Sequence, residues 1–156
     1  MNFEEHYLYP SNLIASKSPG IIKTVLGSCV AVCIWDKLQK CGGMNHFMLP
    51  YWNGKGLASP KYGNIAIGKL INQMIENGSL RYNLVAKIFG GGEVIDIQKT
   101  NYHIGERNIA VATDFLKDER INIISESVGG KLGRKLQFNT YTGAVLMSYI
   151  QNVNGW

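Results

Sequence analysis

Residues 21–49 read Ile21-Ile22-Lys23-Thr24-Val25-Leu26-Gly27-Ser28-Cys29-Val30-Ala31-Val32-Cys33-Ile34-Trp35, then Asp36-Lys37-Leu38-Gln39-Lys40, then Cys41-Gly42-Gly43-Met44-Asn45-His46-Phe47-Met48-Leu49. Ile21 to Leu26 is short and β-branched, as a strand requires. Val30 to Trp35 and Gly42 to Leu49 are two further apolar runs. The polar connection Asp36 to Lys40 between them is a hairpin signal. Cross-strand partners in a hairpin have a constant index sum. An odd sum of 75 or 77 puts His46 opposite Cys29 or opposite Ala31. Either way the two side chains share a face, paired or diagonal. An even sum puts them on opposite faces.

Outward from this hairpin the period changes. Tyr62, Ile65, Ala66, Leu70, Ile71, Met74 and Ile75 recur at helical spacing, which predicts a helix over 60–77. Ser59 reads as its N-cap, Pro60 as its first residue and Gly78 as its C′ residue. Leu84 to Phe89 reads as a strand ending at Gly90-Gly91-Gly92. Gly105 to Lys117 reads as a second helix, with Ile109, Ala112 and Leu116 on one face. Ile121 to Val128 is another strand. Leu136 to Tyr141 and Ala144 to Ile150 pair across Thr142-Gly143 as a terminal hairpin. The order is roughly ββββαβαβββ. It predicts a single α+β layered domain over 1–156, with a mixed, largely antiparallel sheet and two main helices.

Composition narrows the class. The chain has 156 residues, 46% of them hydrophobic and 17% charged, so it can bury a core and is not a disordered tail. Its 18 glycines exclude a coiled coil, and 3 cysteines are too few for a disulfide scaffold. The net charge of +5 favours acidic partners. The basic residues are scattered, so no nucleic-acid footprint is expected. Val25 to Trp35 is too short and interrupted to span a bilayer, and no signal peptide is evident at the N-terminus. A cytoplasmic location is expected. The triple glycine lacks the GxGxxG spacing, and regular βαβ alternation is missing, so no nucleotide site is expected. The cysteines and histidines do not form a metal-binding pattern, and no cofactor is expected.

Chemistry concentrates on one thiol. Cys33 lies inside an apolar strand and Cys41 beside a hairpin turn, positions of small buried hydrophobes. Cys29 instead follows Gly27-Ser28 between two strands. Such a turn can present a side chain and bare backbone N–H groups together, a nucleophile beside an oxyanion site. His46 is its candidate base. His103 is a weaker one, and His6 has no assigned role. Trp52 and Asn53, in the loop from Pro50 to Pro60, are candidates to line the entry of a substrate side chain.

Taken together, Gly27 to Cys33 and Gly42 to Pro50 resemble the CheD family of chemoreceptor glutamine deamidases. The likeness continues through Pro60 to Gly63, Lys87 to Gly92, Ile104 to Asn108, Gly129-Gly130, Gly133-Arg134, Asn139 and Thr142-Gly143. It covers about residues 13–150. It implies a hydrolase, a protein-glutamine glutaminase, that converts selected glutamines of methyl-accepting chemotaxis receptors to glutamate. It implies Cys29 as nucleophile and His46 as base. The family also uses a threonine shortly before the cysteine. Position 23, six before Cys29, is Lys23, and Thr24 is one residue closer. Thr24 is therefore assigned to orient His46, with a backbone carbonyl as the alternative. Gly27 and Ser28 fall in the oxyanion turn. The resemblance also implies a CheC-type phosphatase as a partner. Two other readings stay open, a non-catalytic adaptor for that phosphatase and a different thiol hydrolase. Several of the glycine turns are expected to converge on Cys29.

Overall fold

The computed structural model describes residues 3–94 and 103–150. Among the described residues nine strands fall into two sheets, each mixed and mostly antiparallel, with two α-helices, in agreement with the α+β expectation. The strands are β1 (Glu4–Tyr7), β2 (Asn12–Ser16), β3 (Gly20–Leu26), β4 (Val30–Asp36), β5 (Cys41–His46), β6 (Leu84–Gly90), β7 (Asn122–Val128), β8 (Gly133–Asn139) and β9 (Val145–Ile150). The helices are α1 (Gly63–Glu76) and α2 (Ile104–Asp118). One sheet has the order β1-β3-β8-β9 and the other β2-β5-β4-β6-β7.

Burial explains the layers. In β3 every second residue is buried, so the strand has one inner and one outer face. β4 is buried almost throughout, because both faces of its sheet are covered. Val30, Val32 and Ile34 pack under Ile67, Leu70, Ile71 and Met74 of α1 and Ala112 and Leu116 of α2. Ala31 and Cys33 point the other way. They meet Ile22 and Leu26 of β3 and Leu136 and Phe138 of β8. The result is two stacked sheets with helices over the outer side of the larger one. β3 and β4 are consecutive but lie in different sheets, so the turn 27–29 carries the chain from one to the other.

The hairpin is β4–β5, with Cys33 opposite Met44 and Trp35 opposite Gly42. The index sum is 77 throughout. β5 stops at His46 rather than continuing to Leu49. The amides of Met48 and Leu49 are taken by the Lys61 carbonyl, at 2.9 and 3.1 Å, and not by a neighbouring strand. The same contact corrects the start of the first helix. Tyr62 is extended (φ −102°, ψ 136°) and bridges Leu49, so α1 begins at Gly63. Ser59 therefore caps no helix. Its side chain accepts the Lys61 amide and its carbonyl the Tyr62 amide, closing a turn. Gly63 also packs closely, since a Cβ there would lie 2.7 Å from the Phe47 ring. Gly78 follows the Asn77 C-cap as expected. β8 starts at Gly133, three residues earlier than its apolar pattern suggests, because it pairs with β9 from Gly133 and with β3 from Arg134. It ends at Asn139, whose side chain accepts the Tyr141 and Thr142 amides and turns the chain.

Candidate active site

The turn Gly27-Ser28-Cys29 has all three carbonyls tied to the protein. The Gly92 amide donates to Gly27 at 3.0 Å and the Gly91 amide to Cys29 at 2.8 Å. The Asn108 side-chain nitrogen donates to Ser28 at 3.0 Å. In a trans peptide the C=O and the following N–H point in opposite directions. The amides of Ser28 and Cys29 are therefore turned away from the Gly91-Gly92 and Asn108 supports. Neither has a backbone or side-chain acceptor on another residue among the described residues. The triple glycine thus lies against the turn, as expected of the convergence on Cys29. Gly90 has φ +107°, and a Cβ there would collide with the Cys29 carbonyl. Gly42 and Gly43 serve elsewhere, against Phe138 and Leu70.

His46 ends β5 on the inner face. Val30 and Phe47 exchange both backbone bonds, at 3.1 and 3.0 Å, which keeps the sum of 77 beyond the regular ladder. His46 therefore faces Ala31, with Cys29 diagonal to it on the same side. Thr24 reaches the same space from the inner face of β3. Its Oγ1 lies 2.7 Å from His46 Nδ1 and 2.7 Å from the Leu8 carbonyl. A carbonyl only accepts, and the hydroxyl has one hydrogen, so that hydrogen goes to Leu8. The hydroxyl must then accept from His46, which fixes the proton on Nδ1. Nε2 is left with a bare lone pair, is buried, and has no partner among the described residues. His46 is 2% exposed and Thr24 1%.

Burial sets the charge states. It lowers the His46 pKa from 6.5 to about 4. It raises the Cys29 pKa from 9.0 to about 11, against a smaller opposing effect of its own backbone amide. Near neutral pH the site holds a thiol and, on the same face, a neutral imidazole. Cys33 is fully buried, and its pKa is pushed up by burial, as befits a bystander. Cys41 is also buried and raised, beside the Ser79 hydroxyl at 3.8 Å.

The other sequence candidates lie in different settings. Trp52 donates its indole N–H to the Lys55 carbonyl at 3.0 Å, and Asn53 accepts the Lys55 amide at 2.9 Å. Both close the loop on itself. Met48 and Leu49 at one end of this loop bond to Lys61 at the other, so it leaves the fold just after His46. His103 is half-exposed at the start of α2, 3.9 Å from Glu106. His6 is on β1 beside Glu4. Two asparagines received no role from the sequence. Asn45 inserts its side-chain oxygen into the hairpin and accepts the Val32 amide at 2.9 Å. Asn108 is fully buried on α2 and also donates to Met48 at 3.0 Å. A buried Asn within an apolar strand or helix face is itself a signal, because an uncharged amide is buried only where it has partners.

Comparison with known proteins agrees with this reading of the fold. The family model described as CheD chemotactic sensory transduction matches residues 48–149. Cys29 and His46 lie before that match. Whole-chain relatives extend across them. A protein of Sulfurimonas denitrificans named "Probable chemoreceptor glutamine deamidase CheD" is 45% identical, over 97% of each chain. One of the same name from Trichlorobacter lovleyi is 47% identical, over 92% of this chain and 89% of its own. Among solved structures, the Bacillus licheniformis hypothetical protein YfiH shares the fold with a TM-score of 0.50 at 15% identity. That likeness covers 74% of this chain and about half, 49%, of the longer protein. By family match and by relatives alike, the chain belongs to the CheD family.

Proposed function

We propose that this chain is a protein-glutamine deamidase acting on methyl-accepting chemotaxis receptors, with Cys29 as nucleophile and His46 as base. The observation that carries the reading is the Thr24–His46 hydrogen bond. It leaves Nε2 unprotonated on the same face as the thiol of a turn whose Ser28 and Cys29 amides have no acceptor on another of the described residues. The relatives' name supplies the substrate class.

The chemistry follows from the charge states. Nε2 takes the Cys29 proton as sulfur attacks the side-chain carbonyl carbon of a glutamine. The carbonyl electrons move to oxygen, and the Ser28 and Cys29 amides hold the oxyanion. Collapse expels ammonia, which receives its proton from the imidazolium, and leaves a thioester. Water then gives a proton to Nε2 and attacks the thioester. The thiol leaves with that proton, and glutamate remains. The new imidazolium is stabilised by an uncharged hydroxyl and carbonyl rather than a carboxylate, so its lifetime is confined to the reaction itself. Trp52 and Asn53 are proposed at the mouth, since their loop begins just past His46. A cytoplasmic location is proposed with it, because the proposed substrate glutamines lie on receptor cytoplasmic helices. No helix among the described residues is long and apolar enough to cross a membrane. A CheC-type phosphatase is retained as a proposed partner on the family resemblance.

The test is incubation with a purified receptor cytoplasmic fragment. Mass spectrometry should show Gln-to-Glu conversion with ammonia release and no chain cleavage or cross-links. Cys29→Ala should abolish conversion, a loss of about 10⁴-fold or more. Conversion at the wild-type rate in Cys29→Ala sinks the mechanism. Cleavage or cross-linking points to another thiol hydrolase.

A further inference from the structure

Asn108 is the only side chain on α2 found bonded to both halves of the site among the described residues. Its Nδ2 donates at 3.0 Å to the Ser28 carbonyl, in the nucleophile turn, and at 3.0 Å to the Met48 carbonyl, two residues past His46. Both neighbours are acceptors, so the amide nitrogen must be the atom facing them. The Oδ1 is buried without a partner among the described residues. An amide that forgoes one bond while completing two others is retained for those two.

We infer that Asn108 is a positioning residue that aims the Cys29 amide at the oxyanion. The inference rests on the deamidase reading. The Ser28 carbonyl and the Cys29 N–H belong to one rigid peptide plane and point in opposite directions. Pinning the carbonyl on Asn108 therefore aims the N–H away from α2. The same bond polarises the peptide and strengthens the N–H as a donor. The second bond, to Met48, holds the peptide just after the base strand to the same anchor. The flanking Gly27 and Cys29 carbonyls are held by Gly92 and Gly91, so the turn stays in place when Asn108 is shortened. Asn108→Ala then frees the plane between Ser28 and Cys29 and the Met48 carbonyl, while residue 48 stays held through its own amide on Lys61.

The test compares two reactions of one thiol. Deamidation builds an oxyanion. Alkylation of Cys29 by iodoacetamide displaces iodide and builds none. Asn108→Ala should lower kcat for deamidation of the receptor fragment about 100-fold, as loss of one oxyanion donor does. KM and the Cys29 alkylation rate, followed by peptide mapping, should stay within about threefold. Asn108→Ser keeps one donor and should show a smaller fall with the same split, which serves if the alanine variant folds poorly. Equal falls in both reactions, or no fall in either, overturn the assignment. If wild type deamidates, Cys29→Ala does not, and the split is missing, only Asn108 loses its role. If wild type releases no ammonia the deamidase reading fails, and if wild type and Cys29→Ala release it equally Cys29 is not the nucleophile; this inference fails in either case.

Discussion

At the scale of single residues, the site is governed by one hydrogen atom. The Thr24 hydroxyl gives it to Leu8, so His46 must give its own proton to Thr24. Thr24→Val removes this arrangement and strands two buried polar groups, at about 1–3 kcal/mol each. Chemical denaturation should show the loss, ammonia release should fall about tenfold or more, and Thr24→Ser should restore both. The pH dependence has a defined sign. The neutral imidazole is the proposed base, and its pKa is depressed from 6.5 to about 4. The acid limb of kcat/KM should therefore lie near pH 4 rather than 6.5. Between those values the unfolded chain binds a proton that the folded chain refuses, so folding stability falls as pH drops through that window. The cost reaches about 3 kcal/mol at the acid end. Urea titrations of wild type and His46→Gln at about pH 7 and pH 4.5 should show a smaller acid loss in the variant. An equal loss would mean that His46 is as free to protonate in the folded chain as in the unfolded one.

Elements carry the next level of control. The loop after β6 is the bed on which the Cys29 turn lies, through the Gly91 and Gly92 amides. Gly90 combines a left-handed φ with contact against the Cys29 carbonyl, so a side chain is excluded twice. Gly90→Ala should lift the turn and reduce deamidation about 100-fold, a displacement of about 1 Å being enough. Iodoacetamide labelling should change as well, because here the thiol itself moves. That separates this variant from Asn108→Ala. A fully active Gly90→Ala would show that the Cys29 turn tolerates displacement. The helical period of the sequence marks α1 but not its start. Residues 60–62 have no helical obligation once Lys61 and Tyr62 are engaged with residues 48–49.

On the scale of the whole molecule, the site sits at the seam of two sheets, and the N-terminal segment closes it. Leu8 buries its side chain among Ile22, Met44 and Leu136, and its carbonyl ends the Thr24 relay. Asn12 pairs with His46 and the Ser11 amide donates to the His46 carbonyl at 2.8 Å. These residues had no assignment from periodicity, since β1 and β2 are short strands at sheet edges and only partly buried. Leu8→Ala should cost about 2–5 kcal/mol in stability, the usual penalty for emptying a buried leucine site. Thermal melting measures it. Activity at a temperature where the variant is folded should also fall, because the carbonyl that orients Thr24 shifts with its side chain.

The amino-acid sequence by itself determined the α+β class, the hairpin and both helices to within a few residues, and it nominated Cys29, His46 and Thr24 as the candidate site. Those features depend on local period, on turn residues and on a run of motifs whose order is visible in one dimension. Tertiary structure alone decided the register sum of 77, which places the thiol and imidazole on one face. It also divided the strands between two sheets, brought Leu8 to Thr24, and brought Asn108 and the triple glycine to the Cys29 turn. Each of these joins residues far apart in the chain through bonds that any asparagine or backbone carbonyl can make. Period and composition cannot say which of many equivalent partners is reached. Packing of the two sheets and α2 makes that selection.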